Sequence, residues 1–221
     1  MKKISKNTEY AAVLITLLAC AVFLTGWADD LETLKEKVTF VESIQADFTQ
    51  EKHLEMLDQP LISKGALYFQ APRSLRWEYT QPVRSVLLMH NDEIRRYVRT
   101  DSGMKAQKSR SLEAMRVFLG EICMWMQGEF DANPDLEARM KSNRRVVLTP
   151  KDPAMAEVIE RIELRLTDTP GVIDAVAIHE SSTSYTIIRF HDTKINEGIE
   201  SAVFQELDPG PDKNGTKGRE E

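Results

Sequence analysis

Ser63-Lys64-Gly65-Ala66-Leu67-Tyr68-Phe69, followed by Pro72-Arg73-Ser74-Leu75-Arg76-Trp77-Glu78-Tyr79, is the stretch that decides the fold class. Leu67 and Phe69 alternate with Ala66 and Tyr68, and Leu75, Trp77 and Tyr79 alternate with Arg76, Glu78 and Thr80. A period of two sends successive side chains to opposite faces of a strand, so each run has one face that must be buried. Pro72 and Pro82 stand at the ends of these runs, where a strand tolerates a missing N–H.

Outward from this stretch the same pattern recurs. Residues 85–90 and 93–99 read as two further strands around an Asn91-Asp92 turn, which extends an antiparallel meander. Strands resume at 144–149 and at 159–167, where Ile162, Leu164 and Leu166 share a face. The Thr169-Pro170-Gly171 turn leads into 172–179, and 185–192 follows. On the N-terminal side the period changes: Leu31, Leu34, Val38, Val41 and Ile44 recur at steps of three and four, which predicts an amphipathic helix over 29–48 capped by Asp29 or Asp30. A second helix is predicted from the stripe Leu112, Met115, Leu119, Ile122 and Met126, widened by Phe118, Cys123 and Trp125. Ser111 is its candidate cap, and Gly128 with the polar stretch 131–134 ends it. Seven to nine antiparallel strands and two long helices make an α+β domain with a curled sheet, one face of it closed by helices. The concave side of such a sheet either fills with side chains or encloses a cavity, and periodicity does not choose between them.

The chain opens with Lys2, Lys3 and Lys6, runs apolar over 11–24, and reaches Gly26-Trp27-Ala28, the order of parts of a secretory signal peptide over 1–28. A retained membrane anchor is the rival, weakened by Thr16, Thr25 and Gly26. Leu17-Leu18-Ala19-Cys20 looks like a lipobox that would place a lipid on Cys20, but the apolar run 21–24 directly after it argues against that. Residues 29–207 are expected as one domain, and 208–221, rich in Pro, Gly and charge, as a disordered tail. Loss of Lys2, Lys3, Lys6 and Glu9 takes the formal net charge from −6 to −8, a balance that repels nucleic acid and anionic headgroups. Cys123 is then the only cysteine, so an exported chain holds together without an internal disulfide, its thiol buried on a helix face.

No nucleophile elbow, phosphate-cradling glycine loop, metalloprotease helix or paired-cysteine spacing occurs in the sequence. His53, His90, His179 and His191 are scattered and read as surface or strand-end residues. The chain is therefore expected to be no enzyme and to need no metal or cofactor. Met115, Met124 and Met126 beside Phe118 and Trp125 make the second helix adaptable as well as apolar. That pattern fits ordinary core packing under a sheet, and it equally fits a lid over variable acyl chains.

Ile44-Gln45-Ala46-Asp47-Phe48-Thr49-Gln50, the Ser63–Phe69 run and the Pro-x-x-Leu-x-Trp segment at 72–77 together resemble the LolA-type periplasmic lipoprotein carriers. Ile187-Ile188-Arg189-Phe190, Ile195-Asn196 and Phe204 look like the last strand and closing segment of that family. The resemblance spans most of 31–207 and implies an eleven-stranded incomplete, half-open β-barrel with amphipathic helices as lid over an apolar cavity. It further implies a monomeric periplasmic chaperone that takes lipoproteins by their acyl chains from an inner-membrane ABC transporter and hands them to an outer-membrane acceptor. The cavity lining is expected from Phe48, Leu67, Phe69, Leu75, Trp77, Tyr79, Leu112, Met115, Phe118, Leu119, Ile122 and Met126. Family members often carry arginine just before the proline of that segment, where Ala71 stands here, and Asn91-Asp92-Glu93 replaces the usual Asp-Gly turn. A carrier of another lipid or glycolipid, and a lipoprotein-sensing regulatory domain, are the competing readings of the same half-barrel.

Overall fold

The structure is a computed structural model and describes residues 29–38, 41–90, 93–107, 112–142 and 144–205. The signal segment, Cys20, the Asn91-Asp92 turn, the Ser111 cap and the tail 208–221 lie outside the described residues, as do the side chains of Asp29, Asp30 and Leu112.

Helix α1 (Asp29–Lys37) leads into β1 (Ser43–His53), and a meander follows: β2 (Leu61–Gln70), β3 (Ser74–Gln81), β4 (Ser85–His90), β5 (Glu93–Thr100) and β6 (Gly103–Ala106). Helix α2 (Leu112–Met126) separates these from β7 (Leu136–Ser142) and β8 (Arg145–Pro150). The short α3 (Pro153–Ala156), capped by the Asp152 carboxylate on Met155 N, precedes β9 (Arg161–Leu166), β10 (Ile173–His179) and β11 (Tyr185–Ile195). All eleven strands form one antiparallel sheet in the order β6-β5-β4-β3-β2-β1-β11-β10-β9-β8-β7. Its two edge strands, β6 and β7, do not pair with each other, so the sheet stays open.

The predicted helix over 29–48 is half wrong. Only Asp29–Lys37 is helical, and Ile44 to Phe48 lie in β1, which pairs with β2 on one side and β11 on the other. Val41, Ile44 and Phe48 are spaced for a helix, but Ile44, Ala46 and Phe48 also alternate with Gln45, Asp47 and Thr49. The second period wins because β1 pairs with a strand on each side, apart from a bulge against β11 at Ala46, while its apolar face is buried. The count of seven to nine strands is also too low, since β1, β6 and β7 were missed. Strand β6 has four residues, and β7 reads Leu-Glu-Ala-Arg-Met-Lys-Ser; both are polar edge strands with weak signals.

The helices show why the sheet curls. Helix α1 touches β7 at one edge, whereas α2 touches β3 and β5 toward the other. The two meet where Val38 fills the space beside Gly128: a Cβ there would fall 2.6 Å from Val38 Cγ1, and Gly128 has a φ of 79°. Lys35 adds an ion pair to Asp131 just beyond α2. The two halves of the sheet thus face the same pair of helices, and one core contains Leu75 and Met89 from one half, Leu148 and Leu164 from the other, and Leu119, Ile122 and Trp125 from α2.

The convex side carries a strap. Asn196 Oδ1 accepts from Glu42 N at 2.8 Å, Ser43 Oγ donates to Glu197 O at 2.7 Å, and the 3-10 turn Ser201–Phe204 packs on β3 and β4. Arg76 Nη1 donates to Val203 O, and Phe204 is buried. Both faces of β3 and β4 are therefore covered.

Candidate functional site

The strand register builds the concave wall. Gly65 on β2 stands opposite Phe48 on β1 and Tyr79 on β3, while Leu67 stands between Ala46 and Trp77, and Phe69 between Ile44 and Leu75. Opposed residues share a face, so Phe48, Leu67, Phe69, Leu75, Trp77 and Tyr79 form one surface across three strands. Gly65 is required there: a Cβ would lie 2.0 Å from Glu78 O and 2.6 Å from the Phe48 ring. The missing side chain lets Phe48 lean across β2 onto β3, with ring centroids 4.8 Å from Trp77 and 5.3 Å from Tyr79, the latter edge-on. Phe190 of β11 completes the cluster at 6.2 Å from Trp77.

Helix α2 turns Leu119, Ile122, Cys123, Trp125 and Met126 onto this side, all buried, with Met115 and Phe118 half-buried. Eleven of the twelve residues expected to line a cavity thus lie on the inner side of the sheet or on α2; the side chain of Leu112 is not among those described. Phe190, Ile188, Leu87, Met89 and Ile94 belong to the same packed body and were missed. The strand runs at 85–90, 93–99 and 185–192 contain them, but the unbroken apolar run 86–89 does not say which of its residues face inward.

On its outer side α2 borders a groove of about 310 Å³ lined by Arg73, Arg116, Val117, Glu121, Met124 and Asn133, among others. Burial pushes the Glu121 carboxyl above its ordinary value, and the Asn133 amide, donating to Oε1 at 2.7 Å, offsets part of that. The C-terminal turn of α2 is fastened by Gln127, whose Nε2 donates to Pro72 O at 3.2 Å and to Cys123 O at 2.9 Å. This bond ties the helix to the β2–β3 turn beside Ala71, and nothing in the local pattern around Gln127 announces it.

Polar groups are few on the wall and unevenly placed. The Tyr79 hydroxyl donates to Gln50 Oε1 at 2.8 Å, whereas the buried indole N–H of Trp77 has no hydrogen-bond acceptor among the described residues. Burial raises the Tyr79 phenol, and the nearby Trp77 N–H and Arg96 charge pull it back; the indole is close enough to act on the phenol without reaching hydrogen-bond geometry. His53 and His179 stack on Tyr185 with centroids at 4.3 and 5.7 Å, and His90 bonds Ser74. No group of three metal-ligating side chains occurs among the described residues.

The family model "Outer membrane lipoprotein carrier protein LolA" matches residues 39–206. An outer-membrane lipoprotein carrier protein of Pseudoalteromonas translucida is 18% identical over 196 residues, 89% of this chain and 91% of that one. One from Methylococcus capsulatus is 30% identical over 83 residues, 35% of this chain and 40% of its own. Among solved structures, a LolA superfamily protein from Nitrosomonas europaea has a TM-score of 0.40 at 10% identity, covering 81% of this chain and 97% of its own. The MucA/MucB complex of Pseudomonas aeruginosa has a TM-score of 0.38 at 16% identity, covering 81% of this chain and 60% of its own. An open, curled eleven-stranded sheet with a helix on its concave side, in a chain whose residues 39–206 match that model, belongs to the LolA family of outer-membrane lipoprotein carrier proteins.

Proposed function

We propose that this protein is a non-catalytic periplasmic carrier that shelters the acyl chains of lipoproteins between the concave wall and α2 and ferries them from the inner to the outer membrane. The observation that carries the reading is the continuous apolar wall formed by Phe48, Leu67, Phe69, Leu75 and Trp77 facing a methionine-rich helix. Each CH₂ taken out of water is worth about 0.8 kcal/mol, so a sheltered wall of this kind is sufficient to hold an acyl chain without nucleotide, metal or covalent chemistry. Release requires the helix to part from the sheet. Met115 and Phe118, only half-buried at its N-terminal half, suit the opening side, and Gln127 suits the hinge side. Loading from an inner-membrane transporter, delivery to an outer-membrane acceptor and export by cleavage of residues 1–28 belong to the same proposal, which the family match over 39–206 supports.

Native mass spectrometry and lipid extraction of the protein purified from its own periplasm test this. Co-purifying lipoproteins are the expected result. Free lipid without lipoprotein would move the assignment to a carrier of another lipid, and a persistently empty protein would favour a regulatory sensor.

A further inference from the structure

The concave wall changes character along its strands. Toward the end that holds the β1–β2 and β3–β4 turns, inward positions become polar: Gln50 and Lys52 on β1, Ser63 on β2 and Arg96 on β5 continue the lines of Phe48, Gly65 and Leu87. Trp77 stands opposite Leu87, and Leu87 opposite Arg96, so the indole and the guanidinium share the inner face two strands apart. Lys52 is committed to Glu180 at 3.6 Å. The half-buried Arg96 side chain, in contrast, has no hydrogen-bond or ion-pair partner among the described residues. Its charge and the Trp77 N–H both lower the Tyr79 phenol, against the rise that burial causes.

Two uncompensated donors on one wall are unusual. A buried N–H without an acceptor is unfavourable, because burial removes the water that would have satisfied it, and a half-buried guanidinium without a counterion keeps only part of its hydration. A single ligand that brings both an acceptor oxygen and an anionic group relieves both. Guanidinium groups bind carboxylate and phosphate oxygens through paired N–H bonds, with geometry that a neutral hydroxyl cannot match.

We propose that Trp77 and Arg96 form a headgroup site for an acyl ligand with an anionic oxygen group, a carboxylate or a phosphate, whose chain lies along Phe48, Leu67 and Leu75. The site rests on the carrier reading above, since the chain of its ligand occupies the same apolar wall. The Trp77 indole donates to an oxygen of the headgroup or of its first ester, and Arg96 pairs with the anion. Tyr79, held by Gln50, fixes the space between them.

Calorimetric titration of the delipidated protein with dodecyl phosphate and with dodecanol, both below the concentrations at which they self-associate, tests the site. Wild type is expected to bind the phosphate at least tenfold more tightly than the alcohol. That preference is expected to fall to near parity in Arg96→Gln and to return in part in Arg96→Lys, with far-UV circular dichroism checking that each variant is folded. Inorganic phosphate alone is expected not to bind; binding as tight as that of dodecyl phosphate would overturn the lipid assignment. Equal affinity of wild type for the two amphiphiles would overturn the headgroup site and leave the carrier standing. A preference that survives Arg96→Gln would remove Arg96 from it. Binding of neither amphiphile would defeat the carrier reading, and the headgroup site with it.

Discussion

Arg76 and Trp77 are neighbours in β3 and point to opposite faces, and their opposite fates show how much one residue of register decides. Trp77 joins the aromatic cluster inside, whereas Arg76 is buried on the convex side, with Nε and Nη2 on Glu78 Oε2 at 3.0 and 2.7 Å and Nη1 on the Val203 carbonyl. Arg84 holds the other Glu78 oxygen at 2.8 Å. Burial alone would raise the Glu78 carboxyl, but the hydrogen bonds from Arg76 and Arg84 outweigh it and hold the group below its usual 4.5. A carboxyl depressed in the folded state contributes stability that is present above 4.5 and is lost as pH falls through the folded value. Thermal melts of wild type and Glu78→Gln from pH 7 to pH 3 should therefore converge on acidification, wild type being the more stable at neutral pH. Parallel pH profiles would show that the contacts of Glu78 with Arg76 and Arg84 do not stabilise the fold. Arg76 and Glu78 are legible in sequence as the outward positions of an alternating run; that Arg76 meets a strap more than a hundred residues away is not, because side-chain partners across such a distance leave no local pattern.

At the scale of elements, α2 was readable in full and α1 only in part. The stripe from Leu112 to Met126 has one period and one interpretation, and the helix occupies those residues. Residues 41–48 carry two periods at once, and local sequence gives no account of which neighbours will be available to pair. The mobility expected of α2 follows from how it is held. Its C-terminal turn has the Gln127 bonds to Pro72 and Cys123, and the Asn133–Glu121 bond ties the following loop to its middle. Gln127→Ala removes the tie to the β2–β3 turn at a cost of about 1 kcal/mol. Amide hydrogen exchange in the last two turns of α2 should quicken several-fold while exchange in β1 and β11 stays as it was. Unaltered exchange in α2 would mean that its buried apolar face, and not this bond, governs its opening. The arginine usual in the family before Pro72 is absent here, and Gln127 approaches the same turn from the helix side, so the contact was invisible to a comparison of the strand segment alone.

For the molecule as a whole, the decisive pairing is β1 with β11, which joins Phe48 to Phe190 and Gln50 to Ile188. It closes a loop of about 140 residues and unites the β1–β6 half with the β7–β10 half. A chain stopped at Ser184 lacks β11 and the strap, leaving β1 and β10 as raw edges with the aromatic cluster opened. It should show no cooperative thermal transition by far-UV circular dichroism; a sharp melt near that of the full chain would mean that the β1–β6 half folds by itself. What the sequence determined unaided is the class of structure: strand-like runs at 63–79, 85–99 and 159–192 and one amphipathic helix are local properties of residue order. How the strands assemble one wall was decided by tertiary structure, because strand register, the lean of Phe48 over Gly65 and the placing of Arg96 on the same face as Trp77, two strands away, depend on partners distant in the chain. Periodicity reports which side of a strand is buried, and only the packed sheet decides what that side meets.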